Sequence, residues 1–159
     1  MPILKIVKLP SPILRKKSAA LDLKRISSRE LKSLISSMLK TMVKSDGVGL
    51  AAPQVGKNMR LAVINSKDGA FCLINPKITK KSFAKEPGQE GCLSVPGVFG
   101  QVKRNKKITL TYLNEQGKKI KFNAQGMMAR VIQHELDHLD GILFIDKATK
   151  IEDTIAKKQ

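Results

Sequence analysis

The sequence contains no tryptophan, one tyrosine and five phenylalanines. So few aromatics leave little for stacking against bases, which argues against a nucleic-acid reader built from interleaved aromatic and basic residues. Cysteine is scarce too. Cys72 and Cys92 are too few for a disulfide framework, and in a reducing compartment they serve as thiols or ligands. No stretch approaches the ~18 consecutive apolar residues that would span a bilayer, and the opening MPILKIVKLP lacks the apolar core and cleavage site of a secretory signal. A cytoplasmic protein with no membrane partner is expected. Acidic residues are also under-represented, 13 Asp and Glu against 30 Lys and Arg, for a formal net charge of +17. A field of that sign attracts nucleic acid or ribosomal surfaces. The basic residues nevertheless fall in scattered clusters at 15–17, 80–81 and 103–107, so no single stripe emerges and no specific DNA partner is implied. The charge reads first as a solvated surface.

With 159 residues, 42% of them hydrophobic, the chain suits one domain over 1–159 with a sizeable core. Leu31, Leu34, Ile35, Met38, Leu39 and Met42 have the spacing of one helical face. Ser27 and Glu30 fit a capping box at its start, and Asp46 and Gly47 end it. The next stretch, GVGLAAPQVG (47–56), is too rich in small residues for a good core element and too apolar for a solvated linker. Either it is a tight connection with Gln54 at the surface, or its glycines admit a close approach and the Gln54 amide donates to an oxygen. Two β-hairpins are predicted, 60–64 with 70–74 and 107–113 with 118–122, joined by turn chemistry at 65–69 and 114–117. Cys72 falls inside a strand as a buried structural thiol.

The chain's only histidines lie in QHELDHLDG (133–141), on a last helix that is predicted to start near Asn123 or Ala124 and to end at Asp140 and Gly141. Residues four apart on a helix share a face, so His134 and His138 can reach one ion. Glu135, uncommitted beside them, can take a proton from water, which makes the pattern a signal for metal-assisted hydrolysis. Two histidines are an incomplete site, since a catalytic zinc usually has three protein ligands. Cys92, in EGCLSVPG (90–97) after the loop signal Glu86, Pro87 and Gly88, is either the third ligand or a small buried hydrophobe. Two rival readings stay open. In a zinc peptidase a downstream residue such as Glu152 would complete the site, although few residues follow His138. In a basic module docking on ribosomal RNA, the histidines would hold only a structural metal.

GVGLAAPQVG, EGCLSVPG and QHELDHLDG, in that order, together resemble the signature motifs of the peptide deformylases. The resemblance implies a compact α+β domain whose antiparallel sheets pack around the helix that carries the histidines. It implies one divalent ion on Cys92, His134 and His138, ferrous iron in the cell, with zinc, nickel or cobalt able to take the same place. Glu135 would be the general acid and base, and the Gln54 amide and Leu93 backbone N–H would stabilise an oxyanion. The substrate would be an N-formylmethionyl peptide of a nascent chain, extended along Val48 and Gly91 in a cleft that Gly49 helps to shape. Its methionine side chain would meet Val48, Met127, Val131 and the stem of Arg130. Glu90 and Asp137 would orient or brace the ligands. A monomer is expected. The Lys-rich end, with Lys147, Lys150, Lys157 and Lys158, is compatible with a ribosome contact but reads first as the ordinary dipole chemistry of a basic helix end.

Overall fold

In the computed structural model, which describes residues 1–156, two antiparallel sheets flank a C-terminal helix. The first helix, α1 (Arg29–Lys44), buries Leu31, Ile35, Met38 and Met42 along one side. Each such side chain stabilises the fold by roughly 1.5–3 kcal/mol relative to its exposure. The cap lies one residue later than the sequence suggested. Ser28, with extended backbone angles, accepts from the Leu31 N–H at 3.2 Å. Burial of Ile26 (4% exposed) and the turn in which Ser28 N–H donates to Arg25 draw Ser27 into the approach to the helix. The helix stops where Gly47 N–H bonds back to the Met42 carbonyl and Asp46 takes a left-handed φ of 53°.

The chain then enters β1 (Gly49–Ala51), which pairs with β2 (Leu61–Ile64), and β2 pairs with β3 (Phe71–Lys81). All three β1 residues are buried, so this part of the small-residue stretch is a core strand, one kept narrow by what it faces. The sheet is completed by β6 (Lys107–Leu113) and β7 (Lys119–Gln125) in the order β1-β2-β3-β6-β7. β3 runs past the predicted end at Ile74, absorbing Pro76 at a register shift between Ile74 and Lys77. Cys72 is buried within it, and burial first, then the Glu115 charge, pushes its thiol up to about 11.

A second sheet has the order β4-β5-β8, from β4 (Lys85–Cys92), β5 (Val95–Asn105) and β8 (Thr149–Asp153). The expected loop at Glu86, Pro87 and Gly88 is therefore strand, paired with Arg104, Lys103 and Val102. Pro87 is tolerated because β4 is an edge, where a missing N–H costs no ladder bond on the open side. Gly88 is required by proximity: a Cβ there would lie 2.6 Å from the Arg130 guanidinium carbon.

The last helix, α2 (Gly126–Leu139), starts two to three residues later than expected, because Asn123, Ala124 and Gln125 complete the ladder with β6. Ala129, Ile132 and Leu136 pack on Ile64, Leu73, Leu110 and Tyr112 of the larger sheet, and α2 also touches β5 of the smaller one. The N-terminal segment closes over these parts. Val7 N–H donates to Gln54, Leu9 N–H to Ser94 and Ser18 N–H to Leu139, while Arg15 pairs with Asp146. None of the described helices is long and apolar enough to cross a membrane. Lys157 and Lys158 lie outside the described residues. The observed cap makes a comparison: Ser28→Ala should lower stability by about 1 kcal/mol and Ser27→Ala by far less, measured as the urea midpoint at unchanged slope.

Candidate active site

α2 presents His134 and His138 one turn apart, with ring centroids 5.0 Å apart at an interplanar angle of 69°. Cys92 arrives at the end of β4, just before the chain turns back into β5, and places its Sγ 3.2 Å from His138 Nε2. One ligating atom from each of Cys92, His134 and His138 falls within 4.8 Å of the others. Atoms sharing a tetrahedral ion are about 3.3–3.6 Å apart, given a ~2.3 Å bond to sulfur and ~2.0–2.1 Å bonds to nitrogen, so this Cys-His-His donor set suits a small divalent ion after a small inward shift of the side chains. Glu152, the ligand of the peptidase reading, instead sits on β8 opposite Phe99.

The surrounding charges also favour a cation. His134 Nδ1 bonds Glu90 Oε1 at 2.8 Å, which leaves Nε2 turned toward the sulfur. Burial works against protonation of His134, but Cys92 and Glu90 outweigh it and raise the group to about 10. His138, 1% exposed, is pushed well below its ordinary range by burial, with the His134 and Arg104 charges adding to the effect.

Glu90 is the hub behind the Cys-His-His group. It accepts from Arg104 Nε and Nη2, both at 2.9 Å, and from Arg130 Nη1 at 2.7 Å. Burial raises its pKa, but the hydrogen bonds of Arg104 and His134 win and hold it at about 2. Arg104 also reaches Asp137, which Lys147 caps from outside, and Arg130 donates to the Val102 and Glu86 carbonyls. The Arg130 head is thus committed to the frame, and only its stem is available as a wall.

Glu135 points the other way, toward β1. A Cβ on Gly49 would come within 2.5 Å of its Oε1, so this glycine makes room for the carboxylate. Burial, opposed by the His134 charge and aided by Glu90, raises Glu135 to about 7, and its Oε2 has no partner among the described residues. Gln54 is buried rather than at the surface. Its Oε1 accepts from Ala51 N–H at 2.9 Å, and its Nε2 donates to Ser94 Oγ at 3.2 Å and Cys92 Sγ at 3.5 Å.

Apart from His138 and Asp137, the residues that the family resemblance assigned to the site line one cleft of about 1190 Å³. Val48 and Met127 stand exposed at its rim, Val131 lies deeper, and Gly91 is packed so closely that a Cβ would meet the Phe99 ring at 2.9 Å. Sequence reasoning missed Arg104 and Ser94. A signal for Arg104 existed, because it shares the inward face of β5 with Val102 by the two-residue period of a strand. Ser94 gave none beyond its place after Cys92.

Removing Arg104 leaves Glu90 and Asp137 under-compensated, so Arg104→Met should cost about 3–5 kcal/mol in a denaturant titration. The Glu90 carboxylate titrates below its ordinary value in the fold, so its stabilisation is complete above pH 4.5 and drains away as pH falls toward 2. Glu90→Gln should flatten the decline of stability across that window.

A family model described as polypeptide deformylase matches residues 3–154. A protein of Halothermothrix orenii named peptide deformylase is 47% identical over 95% of this chain and 97% of its own length. Among solved structures, the peptide deformylase of Synechococcus elongatus in complex with actinonin superposes with a TM-score of 0.88 at 43% identity, over 94% of this chain and 81% of that one. The Met-Ala-Ser-bound class I type b peptide deformylase of Acinetobacter baumannii gives 0.88 at 36% identity, over 92% and 100%. Since the matched span takes in both sheets, α2 and the Cys92, His134 and His138 group together, the chain belongs to the polypeptide deformylase family.

Proposed function

We propose that Cys92, His134 and His138 hold one divalent ion and that Glu135, Gln54 and Leu93 carry out the chemistry beside it. The reaction is that of the family, the metal-dependent hydrolysis that removes the formyl group from the initiator methionine of newly made polypeptides and releases formate. One observation carries the assignment of roles: a buried carboxylate and a fixed side-chain amide converge on the Cys-His-His group in a single cleft.

A bound divalent ion supplies Lewis acidity at the formyl carbonyl and makes a neighbouring water easier to deprotonate. Glu135, near neutrality through burial, takes the proton as water attacks the formyl carbon and returns it to the departing methionine nitrogen. The Gln54 amide and Leu93 N–H donate to the carbonyl oxygen as it gains charge. Gln54 is suited to this because Ala51 and Ser94 fix its orientation before substrate arrives.

The cleft lies between two sheet edges, β1 and β4, each unpaired on one side. An extended peptide can add there as a strand near Val48 and Gly91, gaining affinity with little demand on sequence. Val48, Met127, Val131 and the Arg130 stem form the apolar walls for the methionine side chain. We assign ferrous iron as the cellular ion, with zinc, nickel or cobalt suited to the same donors, and we place the enzyme in the cytoplasm, where Cys92 stays reduced. As a monomer of net charge +17 that acts on nascent chains, it would meet ribosomal surfaces by electrostatic attraction.

The test is formate release from formyl-Met-Ala-Ser by anaerobically prepared, iron-loaded protein. Glu135→Ala should lower kcat by about 10²–10⁴-fold, and Gln54→Ala by about 10²–10³-fold. Unchanged turnover in either variant would remove that residue from the mechanism. Chelation should abolish activity, with ferrous iron restoring it, and internal peptide bonds should stay intact throughout.

A further inference from the structure

We propose a second binding site on this chain: a cationic groove, on the opposite side of α2 from the cleft, that docks the phosphate backbone of single-stranded RNA, with Phe83 as the platform for one base. The groove measures about 730 Å³ and is lined by strands of both sheets and by the Gln133, Leu136 and Asp137 side of α2. Clusters that are scattered along the sequence meet here. Lys77 and Lys81 come from β3, Lys85 from β4 and Lys103 from β5. Lys103 pairs opposite Pro87, two residues from Lys85, so these two lysines share a face about 7 Å apart along the strand.

The acids in the groove are already used. Asp140 pairs with Arg60, and Asp137 with Arg104 and Lys147. Lys77, Lys81, Lys85 and Lys103 are exposed and have no acidic partner among the described residues. Four cations facing one concavity repel one another, and no ion pair among the described residues offsets that cost. A polyanion would.

Phe83 supplies the second observation. It sits on the connection between β3 and β4, bracketed by Lys81 and Lys85, and its relative exposure is 103%. A phenylalanine so placed packs on nothing in the fold. A positively charged groove beside an exposed ring is the arrangement that binds single strands without sequence demand. A lipid surface fits less well, because the lysines line a hollow rather than a plane and Phe83 has only Ser82 and Ala84 as immediate neighbours. The choice of RNA over DNA rests on the reading that the enzyme works on nascent chains.

The experiment uses the full-length enzyme and a labelled 12-nucleotide single-stranded RNA of mixed sequence, titrated from 50 to 200 mM salt. Four phosphate contacts at about −0.7 each give a log–log slope near −2.8, or a loss of about fifty-fold across that range. Changing Lys77, Lys81, Lys85 and Lys103 together to glutamine should weaken binding at 50 mM salt by at least tenfold and flatten the slope. A charge-matched variant with Lys32, Lys44, Lys118 and Lys119 changed to glutamine should stay within about threefold of the parent. Phe83→Ala should cost about tenfold with the slope unchanged. Release of formate from formyl-Met-Ala-Ser should persist in all three variants, which also reports their folding. Equal losses in the two lysine variants would reduce the effect to net charge and overturn the groove. Tighter binding of phosphatidylserine vesicles than of RNA would overturn the choice of partner, and an equivalent DNA strand binding better than RNA would overturn the choice of polynucleotide. An enzyme inactive on the peptide that still bound RNA in this manner would sink the deformylase assignment and leave the groove standing.

Discussion

The carboxylate of Glu90 is the constraint on which the rest of the site depends. It is almost fully buried, and such a charge is tolerable only when its oxygens are saturated by well-placed cationic donors. Arg104 comes from β5, Arg130 and His134 from α2, and Glu90 itself from β4. Satisfying one charge therefore fixes the smaller sheet against the helix and, in the same act, sets the ring orientation of His134. The Cys92, His134 and His138 group inherits its geometry from an electrostatic need of the fold.

The larger sheet contributes from the other side. β1 ends in the short turn Ala52–Val55, which delivers Gln54, while Gly49 yields the volume that Glu135 occupies. Glu135, Gln54 and the Cys92, His134 and His138 group thus come from three separate elements that meet only because α2 is held between two sheets. The helix serves two faces of the protein at once: Val131, His134 and Glu135 look into the cleft, while Gln133, Leu136 and Asp137 look into the basic groove.

Much of this was legible in the sequence, and the reasons are specific. The Leu and Met spacing of α1 and the two hairpin turns are local signals that tertiary packing leaves alone. The histidine pair is legible because a helix converts a spacing of four into proximity. The errors came where long-range contacts overrule local preference. Glu86, Pro87 and Gly88 carry loop chemistry, yet the edge position of β4 and the Arg130 guanidinium make a strand of them. Asn123 and Ala124 suit a helix start until β6 claims them for its ladder. Ser27 and Ser28 are equivalent as letters, and the burial of Ile26 and the turn back to Arg25 decide between them. Arg104 was missed because its importance lies in a partner 14 positions away across a hairpin.

The closure of the N-terminal segment over the end of α2 bears on how the protein comes into being. Ser18 N–H bonds the Leu139 carbonyl at 2.7 Å, and Gly141, at φ +72°, runs so close to Arg15 that a Cβ would lie 2.5 Å from its carbonyl oxygen. Segments far apart along the chain are thus tied together, and such long-range closure slows folding. The seat of α2 is complete only when both of these segments are in place. An enzyme that trims other proteins thus depends, for the seat of its own histidine-bearing helix, on contacts that span most of its fold.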